Sequence, residues 1–569
     1  MDDFIYETSV APPLGKDFVF QQKQWIEIPD SNGGAYSSNK VTFNLDNISN
    51  SGDSYFNAKE SLIVIPLNLA VEVLNTTALA TTTLLDNGTA LQNYFVASLK
   101  SGAYQIIDKI NYKLNGNEVI TIDNFENLKI NYKFLTSWTQ DNVQKRGDEL
   151  KFAKDTALSC VWDATQGVCN NAISEQFFSP LTGYAVSSNK GRIDRMKKTS
   201  FGVLSTAGLV TSSADMAAKY QDFVQVNYNA PIVGGVSNSV TINYSILATF
   251  RLADLHPFFE SMPLCKNPSQ YLSLTLNTNA IQTLTVGIAA NGVLTLSAPV
   301  VSGITNTTPY QLSPISHYEN TGFLLADGAL SGTIKSQLGV IQAKGITGSL
   351  PHALPNCLFQ ACFVKMDSDK DLSYSQSPNK TVCWEETYCQ YGGNFANVAA
   401  GSQVNQLISG TFSKLRKIII MPFLSPSANG TSGLSPICST FASEPATCSQ
   451  FVSNSAISNM NVRLGINNIY PRNIQYTYEN YLQSFQGDNA LDGGLEKGVS
   501  SGLISQSDWE TAYGYRVIDL SRHERQNDLQ PQSISIQFVN SSAKMMDYIV
   551  MVEYEKELGF DTQRGLVRV

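Results

Sequence analysis

The sequence predicts a mainly β protein made of two similar units in tandem, and three observations carry that expectation. First, apolar and polar residues alternate over many short stretches, such as Ser533-Ile534-Ser535-Ile536-Gln537-Phe538, which puts the large side chains on one face of a strand. Second, helical periodicity is scarce, while the turn formers Gly, Ser, Asn and Pro are spread along the chain. Third, elements recur in the same order. Ile110, Tyr112 and Leu114 alternate before Phe125-Glu126-Asn127 leads a helical run to Trp138; Val462, Leu464 and Ile466 alternate before Tyr478-Glu479-Asn480 leads one ending near Phe485. Arg251, Asp254 and Leu255 match Arg516, Asp519 and Leu520 at an offset of 265, and Leu272, Leu274 and Leu276 match Ile534, Ile536 and Phe538 at 262. Two nearly equal offsets in one order point to a unit used twice.

The bounds agree. The 569 residues accommodate two large β units, since sandwiches and barrels commonly take about 200 to 250 residues each. With 43% hydrophobic and 15% charged residues, the chain has material for large cores and little for charged tails. A net charge of -9 argues against wrapping nucleic acid through the general surface. The densest basic run, Arg192, Arg195, Lys197 and Lys198, is short and reads as a solvated loop. The start, Met1-Asp2-Asp3-Phe4-Ile5-Tyr6-Glu7, lacks a basic stretch and an apolar core, so it does not read as a secretory signal. The apolar run from Leu62 to Leu74 is interrupted by Pro66, Asn68 and Glu72 and is too short to cross a bilayer. A soluble protein made in the cytosol is expected. Nine cysteines, an odd number, fit reduced thiols better than a disulfide framework. Eight Asn-x-Ser/Thr triplets, among them Asn243 and Asn540, follow from the richness in those residues and mean little without a secretory route.

Taken in order, residues 1–16, with Pro12-Pro13 and no periodicity, read as an arm outside the fold. Gln24 to Ile28 is the first strand, stopped by Pro29 and a turn-rich run to Gly34; Val41 and Phe43 begin the second. Leu62 to Leu67 reads as a buried strand, with Lys417 to Phe423 as its counterpart. Residues 145–220 read as a long surface connection. Leu284 to Leu296 reads as a hairpin around Asn291-Gly292 that finishes the first unit, before a Ser-, Thr-, Asn- and Pro-rich junction near 300–315. The second unit is expected to begin around Ser316 to Leu325, with a variable middle from about Ser368 to Ser458. Asp508-Trp509-Glu510 after Ser507 reads as a capped helical turn. The expected domains are an arm over 1–19, a first unit over 20–308, a second over 309–558 and a tail over 559–569.

No catalytic, cofactor-binding or metal-binding residues are assigned, and no cofactor is expected. The four histidines, His256, His317, His352 and His523, stand in no metal or triad spacing. His256, between Leu255 and Phe259, reads as a packed, hydrogen-bonded structural residue. Cys357 with Cys362 and Cys383 with Cys389 are too widely spaced for a zinc knuckle and read as buried thiols. Asp367, Asp369 and Asp371 resemble the start of a calcium loop. Leu372 stands where that loop needs Gly and Pro378 where it needs Glu, so a solvated turn is expected. Arg516 and Asp519, three residues apart on a strand, point to opposite faces; each either meets a neighbouring element or lies in solvent. A carbohydrate-binding β-sandwich, as in a fibre or spike adhesion protein, stays open on these residues.

The order of strand, helix, Tyr515-Arg516-Val517-Ile518-Asp519-Leu520-Ser521-Arg522, alternating strand and Asp547 to Lys556 resembles the C-terminal jelly roll of double jelly-roll major capsid proteins. The likeness is to those of virophages and polinton-like viruses, in the adenovirus hexon lineage. Gln24-Trp25-Ile26-Glu27-Ile28-Pro29 and Leu255-His256-Pro257-Phe258-Phe259 resemble parts of the first jelly roll. The resemblance implies two consecutive eight-stranded antiparallel jelly rolls, each with a helix between its sixth and seventh strands. It implies a structural shell protein of the virion and not an enzyme. Homotrimers would form pseudo-hexagonal capsomers that tile an icosahedral shell, assembled inside the host cell beside neighbouring capsomers, penton and minor capsid proteins, with no specific nucleic-acid binding.

Overall fold

In the computed structural model, the described residues are 19–46, 54–80, 95–154, 162–163, 168–169, 224–228, 236–266, 268–288, 294–296, 300–302, 307–314, 330–346, 354–425, 457–491, 502–511, 513–520, 530–542, 545–563 and 566–568. Most of the expected arm, most of the 145–220 connection, His317, His352, His523 and the Arg192–Lys198 run lie outside them.

The first half contributes β1 (Phe20–Pro29), β2 (Lys40–Asn44), β3 (Tyr55–Ala80), β4 (Phe95–Leu99), β5 (Ile107–Leu114) and β6 (Asn117–Ile120), followed by helices α1 (Glu126–Ser137) and α2 (Gln140–Arg146). The short β7 (Trp162–Asp163), β8 (Val168–Cys169) and β9 (Val224–Tyr228) precede β10 (Val236–Arg251), α3 (Leu252–Leu255), α4 (Pro257–Ser261) and β11 (Gln270–Leu276). Then come β12 (Ile281–Ile288), β13 (Leu294–Leu296), β14 (Val300–Ser302), β15 (Tyr310–Pro314), β16 (Leu330–Val340) and β17 (Leu358–Met366). The linking helix α5 (Ser368–Ser375) leads to β18 (Asn379–Gln390), β19 (Gln403–Phe412), β20 (Leu415–Leu424), β21 (Ile457–Leu464) and β22 (Asn467–Asn468). The chain closes with α6 (Tyr478–Leu491), α7 (Gln506–Thr511), β23 (Arg516–Asp519), β24 (Gln532–Asn540), β25 (Met546–Asp561) and β26 (Leu566–Arg568).

Pairing shows one plan used twice. In the first half β1, β17, β3 and β10 lie side by side, opposite a sheet ordered β2-β11-β5-β6. In the second half the sheets are β18-β25-β20-β23 and β19-β24-β21-β22. Numbered within each set of eight, both halves read 1-8-3-6 facing 2-7-4-5, which is the jelly-roll arrangement. The set matched at 262 falls on equivalent strands; the set matched at 265 does not, since Arg251 ends β10 and Asp254 and Leu255 lie in α3, whereas Arg516 and Asp519 are both on β23. Leu272, Leu274 and Leu276 of β11 and Ile534, Ile536 and Phe538 of β24 are buried, each set on the seventh strand of its sandwich. Phe250 and Val517 lie on the sixth strands, β10 and β23. Leu62–Leu67 and Lys417–Phe423 lie on the third, β3 and β20.

Several expectations need correction. The first unit does not end near 308: β16 pairs with β3, and β17 lies between β1 and β3, so residues up to Met366 complete the first jelly roll. The hairpin of β12 and β13 opens an insertion between the seventh and eighth strands instead of finishing the unit. Composition resembling a linker marked a loop within a domain. The expected tail is also part of the sheet, because β25 runs to Asp561 and pairs through Gly559 with Arg568 of β26. Five of the eight jelly-roll strands, not six, precede the helix in each unit. Phe250–Leu255 is a strand end followed by the helical turn α3.

β3 has two roles. Its first residues pair with β17, residues from Leu67 to Asn75 pair with β16 on the same edge, and β10 follows its other edge from Leu62 to Ala80. One strand thus belongs both to the jelly roll and to an extension of that sheet. The hairpin joining β5 to β6 turns at Asn115 and Gly116, with φ of 50° and 81°, the left-handed pair that a two-residue hairpin needs.

Candidate functional site

The two jelly rolls meet along a seam, and α1 is the element placed there. Phe125, just before the helix, sets its ring edge-on to Tyr391 at 5.7 Å, and Tyr132 meets Tyr515 at 5.4 Å. Next to them Leu135 O accepts from Leu503 N at 2.8 Å. The approach is close enough to exclude a side chain: a Cβ on Gly502 would stand 2.3 Å from Thr136 O, and Gly502 has φ of +67°.

Among the described residues β18 pairs only with β25, and its other edge presents backbone groups without a ladder partner there. The first jelly roll supplies them from side chains. Asp123 Oδ2 accepts from Cys389 N at 2.8 Å, and Lys129 Nζ donates to Thr387 O at 2.8 Å. Lys129 also contacts Asp123 at 2.8 Å and Glu126 at 2.7 Å. Burial alone would lower the Lys129 pKa, but Glu126 and Asp123 more than offset it, so the ammonium stays charged, with a pKa above the usual lysine value.

A second set of contacts lies below it. His256 Nδ1 accepts from Phe258 N at 3.2 Å, which caps α4 and leaves the ring proton on Nε2, 3.1 Å from Glu386 Oε1. Glu386 also accepts from Trp384 Nε1 at 3.1 Å and faces Lys556 at 3.6 Å. Burial would raise this carboxyl; His256, Lys556 and Trp384 together pull it down to about 2. Phe258 packs edge-on against Trp384 at 5.0 Å. Further along, Lys154 bonds to Asp508 and, at 2.6 Å, to Leu503 O.

Between these contacts lies a cleft of about 820 Å³, lined by residues of both jelly rolls including Lys133, Arg251, Glu260, Glu385, Arg416 and Glu553. Charges of both signs line it. Such an arrangement holds two bodies in register; among the described residues, no group of three His, Cys, Asp or Glu could hold a metal ion.

His256 is the packed, hydrogen-bonded residue that its context suggested. Arg516 is buried, its guanidinium 4.7 Å over the Trp509 ring and bonded to Gly514 O, and burial lowers its pKa to about 10. Its counterpart Arg251 lies half-exposed, 3.9 Å from Glu149, while Asp254 pairs with Arg146. Cys357, Cys362 and Cys389 are buried, but Cys383 is exposed, contrary to expectation, because it sits on the outward-facing side of β18. Burial pushes the Cys362 thiol up to about 11 and Cys389 to about 12, which makes both poor nucleophiles. Asp367 does not start a solvated turn: it caps α5, and Asp371 accepts from Tyr55 OH at 2.5 Å and faces Lys266 at 3.3 Å. The cap of α7 is Ser505 instead of Ser507, exchanging bonds of 3.2 and 2.7 Å with Asp508. Asn243 and Asn540 are buried, so neither triplet presents its amide to a glycan. Glu386, Trp384, Lys129 and Asp123 were missed; the only local signal was the i,i+3 spacing of Glu126 and Lys129.

No family model and no curated protein matches the sequence. Among solved structures, the chain is similar to one in the 3.5 Å cryo-EM structure of the Sputnik virophage, with 11% identity and a TM-score of 0.51, over 100% of this chain and 92% of that one. The mavirus major capsid protein is 9% identical over 100% and 94% of the two chains, with a TM-score of 0.38. The faustovirus major capsid protein is 11% identical over 97% and 92%, with a TM-score of 0.41. The fold comparison rests on the first of these, and with the repeated strand order it gives the chain a double jelly-roll fold like that found in the Sputnik virophage.

Proposed function

We propose that this chain is a viral major capsid protein, a structural and not a catalytic part of the virion. The observation that carries the reading is the duplicated jelly roll held as one body by a buried seam, in a chain whose whole length is similar in fold to one from a virophage structure. Two equivalent lobes let three chains around a threefold axis present six lobes, a nearly hexagonal outline that can tile a surface. Closed symmetry satisfies every copy of the lateral contact, where an open head-to-tail contact would run on into a filament. Neighbouring capsomers, penton and minor capsid proteins are the partners that follow from such a shell, and the two domains we assign are the jelly rolls of residues 20–366 and 379–561.

Native mass spectrometry combined with electron microscopy tests this. We expect a homotrimer of three 62.2 kDa chains, roughly 187 kDa, that forms particles or flat lattices as concentration rises. A monomer that stays discrete at every concentration and binds a glycan array would overturn it in favour of an adhesion protein.

A further inference from the structure

The His256 ring is bonded to both jelly rolls at once. Its Nδ1 accepts from Phe258 N at 3.2 Å within the first, and its Nε2 lies 3.1 Å from Glu386 Oε1 of the second. The residue is buried, and so is Phe258, whose ring stands edge-on to Trp384 at 5.0 Å. Only a neutral imidazole with its proton on Nε2 makes both bonds, because the protonated ring donates from both nitrogens and accepts at neither. A second proton would sit on Nδ1 and point at the Phe258 N–H, which would lose its acceptor. The carboxylates around the ring are each matched by a cation. Glu386 of β18 faces Lys556 of β25 at 3.6 Å, and Glu126 of α1, close enough to feel the ring's charge, bonds to Lys129. Along the turn of His256 itself, Asp254 pairs with Arg146, and Glu260 lies 3.5 Å from Lys133. Lys59 of β3 is exposed and lines the same cleft. Histidine is the side chain whose charge ordinarily changes between pH 5 and 8.

We propose that His256 is a proton-sensitive switch in the seam: uptake of one proton exchanges the cap of α4 for an ion pair with Glu386. The ring then stays attached to the second jelly roll, while the first turn of α4, which carries Phe258, is freed from its hold on β18. The gain at Glu386 and the loss at Phe258 oppose each other, so the switch acts locally and leaves the unfolding midpoint in place. What changes is how firmly residues 256–262 are held against Trp384. The switch rests on the seam geometry and goes beyond the capsid reading. In a shell it lets acidity alter the joint between the two lobes of one chain without dissolving either lobe.

Hydrogen–deuterium exchange of the full chain at about pH 8 and about pH 5.5, corrected for the intrinsic pH dependence of exchange, tests the switch. The amides of Phe258, Phe259 and Met262 are bonded to His256 Nδ1, His256 O and Phe258 O. Their protection is expected to fall at least ~10-fold at the lower pH, while that of β25 stays unchanged. His256→Asn keeps an oxygen that can cap Phe258 N but cannot titrate, so its protection there is expected to be the same at both pH values. Equal protection of the wild-type chain at both pH values overturns the proposal, and that measurement needs no variant. A loss that persists in His256→Asn also overturns it and assigns the response to Glu126, whose carboxyl pKa burial raises. Should His256→Asn not fold, Glu126→Gln removes that competing group and is expected to keep the wild-type loss; its disappearance there overturns the assignment to His256.

Discussion

Glu386 is the clearest single residue for testing the seam, because its ionisation is tied to folding. Its carboxyl lies at about 2 in the folded protein against 4.5 ordinarily. A depressed folded pKa gives stability that is fully present above the unfolded value and is lost as pH falls through the folded one. For a carboxylate this buried the difference corresponds to roughly 3 kcal/mol, so urea midpoints should be level above about pH 5 and fall steadily between pH 4.5 and 2. In Glu386→Gln that slope should flatten and the plateau should drop by about 2 kcal/mol, the size of a lost charge-assisted hydrogen bond. A variant with the wild-type acid profile would show that other carboxylates govern it. His256 was legible as a packed residue because Pro257, Phe258 and Phe259 follow it. Its partner stands 130 residues away, and no local pattern specifies a contact set by how two domains meet. Arg251 and Arg516 teach the same lesson, since one motif lies half-exposed in one copy and buried over Trp509 in the other.

The elements that meet at the seam depend on backbone approach as much as on side chains. Gly502→Ala combines a strained positive φ with a Cβ set against Thr136 O and Leu135 O. A loss of about 2–4 kcal/mol is expected in chemical denaturation; no loss would mean that the 502–505 turn shifts freely away from α1. Ser505→Ala removes one side of the capping box with Asp508 and should cost about 1 kcal/mol, read in the same way. Strand alternation made β11 and β24 readable, because period-two patterning and burial on one face are the same fact. The domain boundary was not readable. Ser, Thr, Asn and Pro mark exposed backbone, and an insertion between two strands of one sandwich is as exposed as a linker between two sandwiches. Only the pairing of β16 and β17 with β3 distinguishes them.

At the scale of the whole molecule, one apolar core includes residues of both jelly rolls, from Tyr36 to Phe560, so the seam is expected to open only with global unfolding. Calorimetry should give a single transition, and two separated transitions would mean that the jelly rolls unfold independently. Residues 1–16 read from the sequence as an arm outside the fold, so removing them should leave that transition in place, and if the arm docks on a neighbouring copy the particle yield should fall; a large fall in unfolding temperature would contradict this.

β3 runs 26 residues without a break, roughly 85 Å at about 3.3 Å per residue, and carries both the jelly roll and the extension beyond it. Strand geometry then restricts how that height can vary among descendants of this sequence. Because side chains alternate faces with every residue, deleting one residue from β3 between Leu62 and Leu74, where its pairing with β10 keeps one register, would turn the stretch from the cut to Leu74 inside out relative to β10 and β16. Removing two, with two from each neighbour, would only shorten the mast by about 7 Å. Height should therefore evolve in even steps of matched deletions across three strands, while single-residue changes are confined to the loops at its tip.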